Sequence, residues 1–77
     1  AFIDVYGRLT QCLQELSTPQ ADGTRRILER ITHQEIASRV GCSREMVSRI
    51  LKDLENGAYL RMQDRRIVLV KKLPQRW

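Results

Sequence analysis

Apolar residues return along this chain with two different periods. Over residues 2–17, Phe2, Val5, Tyr6, Leu9, Cys12, Leu13 and Leu16 recur at steps of three and four, which lays one apolar stripe along a helix. Asp4 in the first turn suits the helix dipole. Gly7 weakens the same helix by about 1 kcal/mol relative to alanine. The pattern stops at Ser17-Thr18-Pro19-Gln20-Ala21-Asp22-Gly23, where proline and Asp-Gly indicate a loop. Residues 24–31 are ambiguous. Ile27, Leu28 and Ile31 have helical spacing, but the run is short and reads as a short strand or an irregular segment.

The helical period resumes with clear boundaries. Thr32 is an N-cap, Glu35 completes a capping box, and Ile31 just before can act as a staple. Ile36, Ala37 and Val40 then face inward, Gly41 ends the helix, and Ser43 caps the next one. That helix runs from Arg44 to about Glu55. At about 100° per residue, Val47, Ile50, Leu51 and Leu54 fall within an arc of about 100°. Arg44, Glu45, Ser48, Arg49 and Lys52 fall on the opposite side, and Asn56-Gly57 stops the helix.

Beyond the stop the period shortens to two. Leu60 and Met62 alternate with Arg61 and Gln63, and Ile67-Val68-Leu69-Val70 is rich in β-branched residues, the signature of a two-stranded hairpin. Its turn, Asp64-Arg65, is not the favoured Asn-Gly or Asp-Gly pair. The basic tail from Lys71 is expected to be loose, with Trp77 either docked or exposed. The expected fold is mainly α with a small β-hairpin: a winged helix-turn-helix, three helices plus a wing, forming one domain over residues 1–77 with the helix-turn-helix at 33–52.

Composition narrows what such a domain does. The 77-residue chain has 14 Lys and Arg against 9 Asp and Glu, a formal charge of +5, which favours an anionic partner. No apolar run reaches the roughly 18 residues needed to cross a bilayer, and no signal peptide is evident. The first residue is not Met, so a fragment or a processed chain is expected. Cys12 and Cys42 read as small core hydrophobes in a reducing, cytoplasmic setting. A single histidine leaves no zinc set. With no nucleophile–base arrangement and no glycine-rich phosphate loop, an enzyme is not expected.

The outer face of the third helix carries the chemistry. The first turns of a recognition helix come nearest the base edges of a DNA major groove. Arg44 and Arg49 can each donate two hydrogen bonds to guanine, and Glu45 can accept from cytosine while repelling phosphate. Ser43, Ser48 and Lys52 suit phosphates, which set register rather than specificity. Thr32, His33 and Gln34 lie at a helix N-terminus, where free N–H groups favour a phosphate. Arg65 and Arg66 at the hairpin tip can grip the backbone. The plainer reading is a solvated helix face in which Glu45 pairs with Arg49 one turn on. The alternative function is a winged-helix protein–protein module.

The segments Ile31-Thr32-His33-Gln34-Glu35-Ile36-Ala37, Val40-Gly41-Cys42-Ser43-Arg44-Glu45 and Val47-Ser48-Arg49-Ile50-Leu51-Lys52 resemble the winged helix-turn-helix of the cyclic AMP receptor protein family. Phe2-Ile3-Asp4-Val5 and Gly7-Arg8 resemble that family's hinge and the start of its first DNA-domain helix, so the likeness covers nearly the whole chain. The resemblance implies a bacterial transcription regulator that binds double-stranded DNA. It assigns Arg44, Glu45 and Arg49 to a TGTGA-like half-site. It assigns His33, Gln34, Ser43, Met46, Lys52 and the wing tip near Arg65 to phosphates. It further implies a homodimeric parent with a cyclic-nucleotide-binding domain ahead of this one, no cofactor within this segment, and RNA polymerase as a candidate second partner. Two departures stand out: Met46 replaces a threonine of the best-known members, and His33 replaces an arginine.

Overall fold

The computed structural model describes the backbone of residues 2–74 and the side chains of 4–74. The apolar side chains of Phe2 and Ile3 and the terminal Gln75, Arg76 and Trp77, for which the sequence suggested packing or exposure, lie outside that range. Helix α1 spans Phe2–Leu16, strand β1 Ser17–Pro19 and β2 Arg25–Ile27; α2 spans His33–Val40 and α3 Arg44–Asn56; β3 Leu60–Gln63 and β4 Arg66–Leu69 close the chain. The three helices match the periodic stretches, and the stripe of α1 buries Tyr6, Leu9 and Leu13 against Ile36, Ala37, Val40, Val47, Ile50, Leu51 and Leu54. Cys12 and Cys42 are free, half-buried and packed against this core.

The sheet is larger than the expected hairpin. All four strands pair antiparallel in the order β1-β2-β4-β3. Residues 17–19, expected to be loop, pair with β2 in the register Ser17↔Ile27, and β2 pairs with the wing strand through Arg25↔Leu69 and Arg26↔Val68. Three-residue strands have no readable alternation. They form because β4 offers a free edge, and Pro19 is tolerated because β1 is itself an edge strand. The turn between β1 and β2 follows expectation: Asp22 accepts from the Thr24 amide at 3.0 Å and its hydroxyl at 2.7 Å, and Gly23 adopts φ 89°.

Three local features differ from, or add to, what the spacing indicated. As far as Pro74 the tail is tied down rather than loose, since Leu73 is buried and the Tyr6 hydroxyl donates to the Pro74 carbonyl at 2.6 Å. At the end of α3, Ala58 and not Gly57 takes the left-handed conformation (φ 63°). Ala58 N–H donates to Glu55 O and Tyr59 N–H to Leu54 O, which satisfies the last carbonyls as a Schellman motif does. Gly57 is needed for space: a Cβ there would lie 2.9 Å from the Tyr59 ring. Finally, Met62 pairs with Ile67 but is 47% exposed, lining an open groove with Leu51, Lys52 and Glu55 of α3.

Candidate nucleic-acid interface

Two capped helices build the site. The Thr32 hydroxyl accepts from the Glu35 amide at 3.1 Å, while the Glu35 carboxylate accepts from the Thr32 amide at 3.2 Å and from its hydroxyl at 3.0 Å. This is the reciprocal capping box that Thr-x-x-Glu forecasts. It commits both the donor and an acceptor position of Thr32 to Glu35, so this hydroxyl serves the helix cap first. Gly41 ends α2 at φ 85°, a conformation that disfavours any residue with a Cβ. Ser43 then caps α3, accepting from the Met46 amide at 3.1 Å. Its hydroxyl hydrogen stays available to an incoming acceptor.

Helix α3 is divided as its spacing forecast. Val47, Ile50, Leu51 and Leu54 are buried, whereas Arg44, Glu45, Arg49 and Lys52 are exposed. Glu45 does not pair with Arg49. Its closest cation is Arg44 at 4.0 Å, both side chains being more than half exposed, a contact of at most a few tenths of a kcal/mol. Arg49, Lys52, Gln34 and Arg65 are exposed and make no side-chain hydrogen bond among the described residues. Met46 is half-buried and packs on the core, so it joins the fold rather than the polar face.

Sequence reasoning treated His33 and Ser48 as separate groups. The structure joins them: His33 Nδ1 lies 2.7 Å from Ser48 Oγ. Pairs between helices fifteen residues apart leave no periodic trace, and only the juxtaposition of α2 and α3 reveals this one. His33, Ser48 and Lys52, with Leu51, Glu55, Leu60 and Met62, line a groove of about 370 Å³ between α3 and β3.

The wing tip is a two-residue turn in which both Asp64 (φ 54°) and Arg65 (φ 62°) are left-handed, the signature of a type I′ hairpin turn. The two arginines there part company. Arg65 projects freely. Arg66 donates from Nε to the Leu28 carbonyl at 2.7 Å and from Nη1 to Asp64 Oδ2 at 2.7 Å, so its guanidinium chiefly ties the wing to the segment before α2. Arg30 adds a second, looser contact to Asp64 at 3.7 Å. Arg25, not among the expected site residues, is held by Ser17 Oγ and O, and braces the far end of the sheet.

Among the described residues no cluster of histidine, cysteine and carboxylate side chains could hold a metal, and no helix is long and apolar enough to cross a membrane. A three-helix core, a capped helix pair with a polar outer face and a β-hairpin beside it define a winged helix-turn-helix domain of the kind found in transcription regulators.

Comparison with known proteins gives the family. The chain belongs to the Crp-like helix-turn-helix domains, whose family model matches residues 7–75. Over 74 residues it is 43% identical to the cAMP-activated global transcriptional regulator CRP of Haemophilus influenzae, covering 90% of this chain and 32% of that protein. It is 42% identical to the regulator Vfr of Pseudomonas aeruginosa, again over 90% of this chain and 33% of the relative. Among solved structures it resembles TTHB099, a CRP-family transcriptional regulator of Thermus thermophilus, with a TM-score of 0.70, 26% identity and coverage of 87% of this chain and 35% of that one. It also resembles TTHA1359, a CRP/FNR-family regulator of the same organism, with a TM-score of 0.67, 27% identity and coverage of 84% and 34%. The chain thus spans about a third of the length of these relatives.

Proposed function

We propose that this domain binds double-stranded DNA sequence-specifically, with α3 in the major groove and a TGTGA-like half-site as target. Arg44, Glu45 and Arg49 read bases. Gln34, His33, Ser43 and Lys52 meet the phosphates flanking the groove, and Arg65 at the wing tip meets the adjacent backbone. Thr32 and Ser48 contribute mainly by holding the elements that carry these groups, and Arg66 by holding the wing.

The observation that carries the reading is Glu45. It is a 77%-exposed carboxylate in the first turn of a basic helix face, and its only ion pair among the described residues is a marginal 4.0 Å contact to Arg44. A surface that merely attracts phosphate gains nothing from a carboxylate there, whereas a base reader can use it against cytosine. The domain acts within a longer homodimeric regulator, in which a cyclic nucleotide binds outside this segment and RNA polymerase is a further partner. Two copies side by side match the symmetry of a palindromic site.

The test is a titration of palindromic TGTGA-type and scrambled duplexes at physiological salt. Preference for the palindrome is expected. Arg44→Ala and Glu45→Ala should each relax specificity at one base position by about 1–3 kcal/mol. Lys52→Ala should weaken all sequences alike and reduce the salt slope by about one. Equal affinity for both duplexes overturns sequence reading. A shallow salt slope with negligible affinity would instead favour a protein–protein module.

A further inference from the structure

The tip of the wing carries a carboxylate on a surface proposed to meet phosphate. Asp64 is the only acidic side chain between Gly57 and Trp77, in a stretch that holds Arg61, Arg65, Arg66, Lys71, Lys72 and Arg76. The turn accounts for part of the choice. Asp64 sits at φ 54° in the first position of a type I′ turn, where Asn, Asp and Gly are favoured. Asparagine or glycine would serve that backbone equally well and would not repel DNA. The charge therefore has a second role, and its contacts point to one.

Asp64 Oδ2 accepts from Arg66 Nη1 at 2.7 Å, and Asp64 Oδ1 lies 3.7 Å from Arg30 Nη2. Each carboxylate oxygen thus faces a guanidinium, one from the start of β4 and one from the segment before α2. Nε of Arg66 is taken by the Leu28 carbonyl at 2.7 Å. A phosphate approaching the remaining Nη2 of Arg66 would come up against the Asp64 carboxylate beside it. Arg65, next to both in sequence, has no side-chain hydrogen bond or ion pair among the described residues. Of Arg30, Arg65 and Arg66, only Arg65 is left uncompensated. Exposed ion pairs of this kind add little to stability; their effect here is on how many cations the wing can offer.

We propose that Asp64 withholds Arg66 and Arg30 from the DNA backbone, so that the wing engages phosphate through Arg65 alone. This rests on the DNA-binding reading above. Phosphate contacts strengthen binding to every sequence alike. Holding two cations back keeps that sequence-independent share small and leaves occupancy to the bases read by Arg44, Glu45 and Arg49. Asp64 on the wing and Glu45 on α3 then act in the same direction, each against indiscriminate backbone binding.

The test is a titration of the whole chain with a scrambled duplex, which offers phosphates without the cognate bases, at several salt concentrations. Asp64→Asn keeps a residue suited to the turn and removes the charge. Its salt slope should be steeper than that of the wild type by about 0.9 for each arginine released, so the affinity lost between 50 and 200 mM salt grows about 3.5-fold for one and about 12-fold for both. Asp64→Gly, equally suited to the left-handed position, should give the same slope, and circular dichroism should show both variants folded. Removing a negative charge strengthens DNA binding by itself, so a double-mutant cycle with Arg66→Gln decides. In the Asp64→Asn background, Arg66→Gln should take back about 0.9 of the slope; in the wild-type background it should leave the slope unchanged. The same change in both backgrounds, or an Asp64→Asn slope equal to that of the wild type, overturns the inference and leaves the DNA-binding reading standing. Absence of any DNA binding by the wild type overturns both.

Discussion

Replacing Arg65 by glycine should make the domain more stable and a poorer DNA binder. Arg65 is held at φ 62° in the wing turn. A left-handed L-residue costs roughly 1–2 kcal/mol, which glycine relieves. Glycine in turn raises the entropy of the unfolded chain by an amount worth roughly 0.5–1 kcal/mol. The net gain is about 0.5–1 kcal/mol, or about 2–8 °C in Tm for a domain of this size. The guanidinium makes no hydrogen bond among the described residues, so its removal loses no internal contact. If Arg65 grips a phosphate, the salt slope falls by about 0.9, so the affinity lost between 50 and 200 mM salt shrinks about 3.5-fold relative to wild type. Thermal unfolding by circular dichroism and fluorescence-anisotropy titrations at the two salt concentrations measure both effects. Arg65→Ala separates them, since it removes the charge and keeps the strain: the same change in slope, with no gain in Tm. A lower Tm for the glycine variant refutes the strain argument. An unchanged slope in both variants refutes the phosphate contact.

Other outcomes follow from the same geometry. Tyr6→Phe removes the hydrogen bond to Pro74 and should cost about 1 kcal/mol near neutral pH, read as a lower Tm. Burial, and then the neighbouring Tyr59, push the Tyr6 hydroxyl above its ordinary value. The folded state therefore holds that proton more tightly than the unfolded one, and its stabilising effect is complete below about pH 10 and lost as pH rises further. The wild type should lose stability in that alkaline range more steeply than the Phe variant. At the end of α3, Gly57→Ala should destabilise by about 1–3 kcal/mol through the displaced Tyr59 ring, whereas Ala58→Gly should be neutral or stabilising. Urea unfolding of the two variants distinguishes this from a cap in which Gly57 supplies the turn. Thr32→Ala should cost about 1 kcal/mol of stability and leave the salt slope of DNA binding unchanged; a reduced slope would return the Thr32 hydroxyl to the phosphate contacts.

The helix pair was legible because its signals are local. Thr32, Glu35, Gly41 and Ser43 act on amides three to five residues away, and each occupies the cap forecast for it. The apolar arc of α3 depends only on spacing, so the polar arc carrying Arg44, Glu45 and Arg49 could be placed on the opposite face as well. Strand β1 was not legible, and β2 was read only as a short strand or an irregular segment. Three residues are too few to show a period; β1 pairs only with β2, and β2 joins the sheet through β4, more than forty residues away. The left-handed conformation of Ala58 was not legible for a similar reason: glycine at 57 answers to the Tyr59 ring, a contact that backbone propensity does not register.

The candidate site divides along the same line. Sequence alone determined which residues lie on the outer face of α3 and where each helix starts and stops, because helical geometry and capping are set within one or two turns. Tertiary structure alone decided which of those polar groups remain available to a partner. Packing α2 against α3 brought His33 to Ser48, and folding the wing back onto the segment before α2 engaged Arg66 with Leu28 and Asp64 while leaving Arg65 outside. A polar side chain spends its hydrogen-bonding capacity on whatever the fold brings within about 3 Å, and that choice is made by contacts distant in sequence.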